Sequence, residues 1–343
     1  MGVGYKPVLW NRQKRIYDKV MIILILLYLI VFIGCNFIFF PEVTIETAII
    51  RAFGTLAFVM LHIILMIGPM CRLNPKFLPL LYNRRHLGVT MFFIAAIHGI
   101  FSLVQFHALG DTFPILSVFT SNTHYGSLVN FPFQTLGFFA LIILFLMAAT
   151  SHDFWLHNLS PRVWKGLHMT VYAAYALLIM HVMLGTIQLE SSPVNIVLLG
   201  GGMMAIIGLH LLAGFKEVAA DKETQPGGNG GFVKVCELDE IDEYRAKMIS
   251  VGEDKIAIFK YDGKLSAVAN ACKHQNGPLG EGKIVDGCIT CPWHSYQYLP
   301  HNGCSPPPFE EKVATYKVKI EGTVVYVNPM PFPEGMEVEP AIF

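Results

Sequence analysis

The sequence is short of charge. Only 15% of its 343 residues are Asp, Glu, Lys or Arg and 53% are hydrophobic, against roughly a quarter charged in ordinary soluble domains. A fully aqueous surface is thereby excluded. Neither sign is in excess, with 25 basic and 25 acidic side chains. That argues against a nucleic-acid partner, because neutralising phosphates needs a basic surplus. A nucleotide fingerprint is also missing: the run Pro226-Gly227-Gly228-Asn229-Gly230-Gly231 lacks a strand-then-helix context, and no flavin or nicotinamide signature occurs elsewhere. The chain is therefore not expected to oxidise NAD(P)H unaided. Nor does the first apolar stretch read as a secretory leader; it is too long and ends in no small-residue cleavage site.

What is present is unevenly distributed. Residues 1–231 hold 14 basic and 9 acidic side chains, and residues 232–343 hold 11 and 16. An apolar, slightly basic module is joined to an acidic, polar one. In the first, six stretches are long enough to cross about 30 Å of hydrocarbon, which takes about 20 helical residues. They are Val20–Phe40, Ala48–Ile67, Leu87–Phe106, Phe131–Thr150, Leu167–Thr186 and Val194–Phe215. Lys6, Arg12, Lys14, Arg15, Lys19, Arg72, Lys76, Arg84, Arg85, Arg162, Lys165, Lys216 and Lys222 fall on one side of such a bundle. The other side has only Arg51, with Glu42, Glu46, Asp111 and Glu190. Lys and Arg collect on the cytoplasmic side, so the spacing predicts a multi-pass inner-membrane protein with both termini in the cytoplasm.

Five histidines lie inside these apolar stretches: His62, His98, His168, His181 and His210. Ionisable groups there are costly and face a bundle interior. For His210 an inter-helix hydrogen bond explains as much as any other role. Imidazoles on facing helices are also what a bundle uses to hold haem iron. By helical rise, His98 lies near mid-membrane and His181 somewhat further out, so the two can clasp one haem. His168, about 20 Å below His181, can serve a second haem with His62 or His86. Thirteen residues at about 100° each put His168 and His181 on different faces of an ideal helix, so a local unwinding, a tilt or separate neighbours is required.

Arg84-Arg85-His86-Leu87-Gly88 through Ala95-Ala96-Ile97-His98, and Trp164-Lys165-Gly166-Leu167-His168-Met169 followed by His181, resemble the third and fifth helices of the ferric-reductase-like transmembrane family. The resemblance covers about residues 20–215. It implies a six-helix b-type cytochrome with His98, His168 and His181 as recurrent haem ligands. His62 lies outside that pattern and rests on depth alone. The outer loop Ala108–Asn130, with His124, reads as solvated.

Lys216–Gly231 reads as a flexible linker. From Phe232 short alternating runs predict an all-β domain, with a hairpin at Tyr261-Asp262-Gly263-Lys264 and a second pair, Val313–Ile320 and Thr323–Val327, around Glu321-Gly322. Within it stand Cys272-Lys273-His274 and Cys291-Pro292-Trp293-His294. Two thiolates and two imidazoles, one of each per loop, form the donor set of a Rieske [2Fe-2S] centre. Structural zinc accepts the same donors but more often groups its cysteines and its histidines separately, which fits this spacing poorly. The surrounding Gly277-Pro278-Leu279-Gly280 and Ser305-Pro306-Pro307-Pro308 resemble the loops that cover a Rieske cluster, over about Phe232–Asn328.

The resemblance has departures. Respiratory Rieske domains carry a loop-to-loop disulfide whose cysteines would fall at Gly277 and Trp293, and Ser295 stands where Gly is common. The chain is thus similar to the ferredoxin type used with aromatic-ring dioxygenases. Tyr296 replaces a Ser whose hydroxyl serves high-potential centres, which implies a potential toward the low end of the Rieske range. Cys35, Cys71, Cys236, Cys288 and Cys304 read as packing residues, with no disulfide expected in the cytoplasm.

The expected architecture is an α + β multidomain chain, a six-helix transmembrane bundle followed by a small all-β Rieske domain. Its parts are an N-terminal segment 1–19, a haem domain 20–215, a linker 216–231 and a Rieske domain with a tail, 232–343. The expected role is transmembrane electron transfer between the [2Fe-2S] cluster and one or two b-type haems. A cytoplasmic reductase or ferredoxin would be the donor, and an outer, periplasmic or quinone acceptor the target. Two other readings stay open at this point: a haem-free, membrane-anchored ferredoxin serving an oxygenase, and a quinone or ferric-chelate oxidoreductase.

Overall fold

The computed structural model describes residues 12–152, 155, 159, 161–185, 187, 193–222, 231–252, 254–274, 276–293 and 295–343. His294, Lys6, Glu190 and the run Pro226–Gly230 lie outside the described residues. The chain forms two compact units. One comprises Arg12–Arg72 and Asn83–Leu211, and the other is built on Leu73–Tyr82 and Leu212–Phe343.

Among the described residues the helices are α1 (Arg12–Phe39), α2 (Ile45–Leu73), α3 (Arg84–His107), α4 (Pro114–Thr120), α5 (Phe133–Ala149), α6 (Pro161–Met169), α7 (Val171–Leu184) and α8 (Pro193–Lys222). They form because long runs of Leu, Ile, Val and Phe have no water to satisfy backbone groups, so each segment must close its hydrogen bonds internally. Five helical stretches are long and apolar enough to cross a membrane: Lys14–Phe39, Ile45–Leu73, Arg84–His107, Val163–Leu184 and Val194–Val218. The predicted count of six is therefore not reached by length. Pro132 precedes α5 and the helix gives way at Thr150, leaving 17 residues, about 26 Å at 1.5 Å per residue.

The fifth predicted stretch is interrupted between its two histidines. Thr170 separates α6 from α7, its N–H turning back to Leu167 three residues earlier at 3.1 Å, and its hydroxyl donates to the same carbonyl. Thr170 itself keeps near-helical dihedrals, φ −64° and ψ −8°, so the interruption is a single turn residue. At the other end, α8 runs through Lys222, so the first residues of the predicted linker are helical.

Among the described residues the β unit contains three small sheets. Strands β1 (Val233–Glu237), β9 (Val318–Glu321) and β10 (Val324–Val327) form one, in the order β1-β10-β9. A second joins β2 (Ala246–Val251), β3 (Asp254–Tyr261), β4 (Lys264–Ala269), β8 (Thr315–Tyr316) and β11 (Ala341–Ile342). The third is β5 (Lys283–Val285), β6 (Cys288–Thr290) and β7 (Gln297–Tyr298). The β3–β4 hairpin pairs Tyr261 with Lys264. Asp262 and Gly263 both take positive φ, 47° and 72°, the twist-matched two-residue turn that Asp-Gly predicts. The predicted strand Val313–Ile320 is instead divided: Thr315–Tyr316 pairs with β4, and Val318–Glu321 pairs with β10. β3 is central. Ile256 and Ile258 enter one core with Leu265, Val325 and Val327. Ala257 and Phe259 enter the other with Cys272, Cys291 and Tyr298.

Candidate metal centres

Cys272 follows β4 and Cys291 follows β6, and the two loops they open have the same backbone plan. Cys272 N–H donates to Gly277 O at 2.9 Å, and Asn276 N–H donates to Cys272 O at 2.6 Å. Cys291 N–H donates to Tyr296 O at 2.8 Å, and Ser295 N–H donates to Cys291 O at 2.9 Å. Each cysteine thus closes bonds to the residues four and five positions on. The fourth position is left-handed in both loops, with φ of 57° at Asn276 and 60° at Ser295. Glycine would hold that conformation without strain, which explains why Ser295 is a departure. The loops meet at Gly277, where a Cβ would come within 2.7 Å of Cys291 Sγ and 3.2 Å of the Trp293 ring. Both sulfurs belong to one buried core.

Sequence reasoning passed over Tyr298. Its oxygen accepts from Lys273 N–H at 3.0 Å and lies 3.4 Å from Cys272 Sγ. Burial, and then the adjacent Cys272, push its phenol far above the ordinary value; between Tyr298 Oη and Cys272 Sγ either atom can donate. Tyr296 stacks on His274 with ring centroids 4.8 Å apart and planes 5° from parallel. Among the described residues no three of His, Cys, Asp and Glu gather as a metal site.

In the helical unit the rings of His98 (α3) and His181 (α7) are neighbours, edge to face, with centroids 6.4 Å apart and planes at 82°. Their surroundings repeat. His98 Nδ1 donates to Ile50 O at 2.9 Å, and His181 Nδ1 donates to Phe133 O at 2.8 Å. Four residues beyond each carbonyl is a glycine, Gly54 or Gly137, whose Cβ would come within 2.8 Å of the imidazole. The missing side chain lets each ring reach a carbonyl of a neighbouring helix, as small residues allow within membranes. With Nδ1 carrying the proton, Nε2 holds the lone pair.

The other histidines are placed apart from this pair. His168 bonds Trp164 O at 3.0 Å, stacks on the Trp164 ring, and lies 3.4 Å from Ser151 Oγ. Arg84, at the start of α3, is within its electrostatic reach. His86 Nδ1 is held by both oxygens of Asp18, at 3.1 and 3.0 Å; Asn83 bonds the same buried carboxylate. His62 has both nitrogens engaged, Nδ1 to Phe58 O at 2.7 Å and Nε2 to the Tyr175 hydroxyl at 3.1 Å. His210 likewise joins Ile206 O and the Tyr172 hydroxyl, an inter-helix bond, one of the readings left open for it. His124 is exposed and bonds Asn122.

Comparison with known proteins finds a family match in each half of the chain. Residues 231–317 match the Rieske [2Fe-2S] domain. The ferredoxin subunit of biphenyl dioxygenase from Pseudomonas sp. (strain KKS102) is 35% identical over 100 residues, 28% of this chain and 91% of that protein. The chain belongs to the Rieske [2Fe-2S] family. The ferredoxin component of the alkene monooxygenase system of Xanthobacter autotrophicus is 28% identical over 107 residues, 31% of this chain and 88% of that protein. A solved ferredoxin of carbazole 1,9a-dioxygenase from Nocardioides aromaticivorans is 24% identical, covering 29% of this chain and 100% of that one, with a TM-score of 0.28. Residues 53–179 match the ferric reductase like transmembrane component. That match takes in His62, His86, His98 and His168 and ends before His181.

For the Rieske domain Tyr298 changes the expected potential. A hydrogen bond to a cluster sulfur stabilises the more negative, reduced state. Were Cys272 a cluster ligand, a hydrogen bond from Tyr298 would act against the low potential that the missing Ser hydroxyl implies. Tyr298→Phe is expected to lower the cluster's potential by tens of millivolts, the equivalent of a net hydrogen bond of about 1 kcal/mol, with iron content unchanged. An unaltered midpoint in a redox titration would show that the hydroxyl does not act on the cluster.

Proposed function

We propose that the chain is a transmembrane electron relay, carrying electrons between a [2Fe-2S] cluster on the cytoplasmic side and b-type haem inside the bundle, for an acceptor on the outer side. The observation that carries this reading is the neighbouring pair His98 and His181, 6.4 Å between centroids, in the same chain as the paired cysteine loops. Two imidazoles that reach one ion from opposite sides through bonds of about 2 Å need roughly that separation. When bound, the two groups supply one-electron carriers; the residues of the chain do the holding.

Cys272 and Cys291 would hold one iron of the cluster and His274 and His294 the other. The donor set fits, as does the side-chain-free floor at Gly277 against Cys291 Sγ. His98 and His181 would hold one haem iron through Nε2. For a second haem, depth favours His86 with His168. His86 stands twelve residues below His98, and His168 thirteen below His181, about 18 and 20 Å at helical rise. Asp18 gives His86 the carboxylate partner that orients metal-binding imidazoles. His62 is bonded to Tyr175, which lies seven residues after His168 and six before His181, so His62 is read as standing between the two levels.

Six crossings follow if α5 is the short one. It supplies the carbonyl of Phe133 and the gap at Gly137 that receive His181, and bilayers thin locally around short helices. Six crossings with the Lys and Arg bias put both termini and the Rieske domain in the cytoplasm of an inner membrane. There a reductase or ferredoxin is the donor, and the acceptor is a periplasmic molecule or a quinone.

The test is haem quantification and a reduced-minus-oxidised spectrum on wild type and on Gly137→Leu. Wild type is expected to show b-type bands. The variant, whose new side chain takes the place of the His181 ring, is expected to lose at least one haem per chain. A wild type without such bands would leave the haem-free anchored ferredoxin as the better reading.

A further inference from the structure

We propose that Tyr296 is the positioning residue of the cluster: its ring fixes the His274 imidazole, and its bond to Glu311 holds a negative charge beside the site, so that one side chain does the loop-joining work of a covalent staple. The inference rests on His274 being a cluster ligand, as proposed above.

The place for a staple is closed. Any Cβ at Gly277 would come within 2.7 Å of Cys291 Sγ and 3.2 Å of Trp293, so neither a cysteine nor another side chain fits between the loops there. Tyr296 spans the same gap from the side. Its backbone oxygen accepts from Cys291 N–H at 2.8 Å, which locks it into the second loop. Its ring lies flat on His274 of the first loop, 4.8 Å away and 5° from parallel. Its hydroxyl donates to Glu311 Oε2. Glu311 in turn belongs to the proline-rich third loop, where its carbonyl accepts from Ser305 N–H at 2.8 Å. Phe309 of that loop packs edge-on to Tyr296 at 5.0 Å and 64°. The ring is 3% exposed and touches all three loops.

Two consequences separate this role from plain core packing. A face-stacked ring limits rotation of the imidazole, so the anisotropy of the reduced cluster depends on it. A carboxylate one side chain away from His274 opposes the extra negative charge of the reduced state, so Glu311 lowers the potential that Tyr298 raises. Packing alone would alter stability and leave both unchanged.

The experiment uses the full chain and three substitutions, with iron and sulfide content, the electron paramagnetic resonance spectrum of the reduced cluster and a redox titration as readouts. Glu311→Gln is expected to keep its iron and to raise the reduced-to-oxidised ratio at fixed potential by about threefold to tenfold. Tyr296→Phe keeps the stack, so its g-values should match wild type while its potential shifts in the same direction. Tyr296→Leu is expected to bind less iron or to show altered g-values. Wild-type potentials in both Glu311→Gln and Tyr296→Phe, or wild-type iron and g-values in Tyr296→Leu, would overturn the proposal. A wild-type chain with no Rieske signal would instead refute the ligand assignment.

Discussion

Full-length protein carrying His181→Ala is expected to purify with at least one haem fewer per chain than wild type, and His98→Ala is expected to do the same. Each substitution leaves a single imidazole where two are needed. It also removes the second bond to a helical backbone carbonyl, Phe133 O in one case and Ile50 O in the other. Loss of a metal's outer-shell support alone costs about 10–100-fold in affinity, and loss of the ligand itself should exceed that. His62→Ala is the discriminating control. Its ring bridges Phe58 and Tyr175, so the haem count should stay the same while stability falls by about 1–3 kcal/mol. A lower haem count in His62→Ala with a full count in His181→Ala would reverse the assignment.

Cys291→Ser and Cys272→Ser are expected to abolish the iron–sulfur signal and leave haem content unchanged. Serine oxygen is a poor substitute for soft thiolate toward iron. Both sulfurs are buried in the core that also holds Phe259, Ile289 and Tyr298. Cluster binding is coupled to folding of the loops that bind it, so the β domain should also melt earlier. Iron analysis together with haem quantification separates the two centres in one preparation. Loss of haem in the cysteine variants would mean that the two centres are not assembled independently.

Much of the β domain was legible because its signals are local. Asp262-Gly263 supplies both positive-φ residues of a tight hairpin, and a Cys with a His in each of two loops specifies the donor set. Val313–Ile320 misled because alternation reports burial and not the partner; the chain leaves one sheet for another after Tyr316. In the helices, hydropathy located the stretches, and the turn at Thr170 between His168 and His181 is one of several arrangements their spacing allowed. Hydropathy could not locate the interlocks. Asp18 reaches His86 across 68 positions of sequence, and the carbonyls that hold His98 and His181 lie 48 positions upstream of each. Gly54 and Gly137 are glycines within apolar helices, but so are Gly34, Gly68 and Gly88, beside which nothing lies within 4 Å of an added Cβ, so glycine alone did not mark the interlocks. Tyr298 was in view beside the second loop, but its reach to Cys272 depends on β7 folding back against the first.

The most direct test of the relay is to reduce the Rieske cluster photochemically in full-length protein under anaerobic conditions and to follow b-type haem absorption, in wild type and in Cys272→Ser. The relay predicts prompt haem reduction in wild type and, in the variant, a full haem complement that stays oxidised on the same timescale. Equal rates of haem reduction with and without the cluster would contradict it.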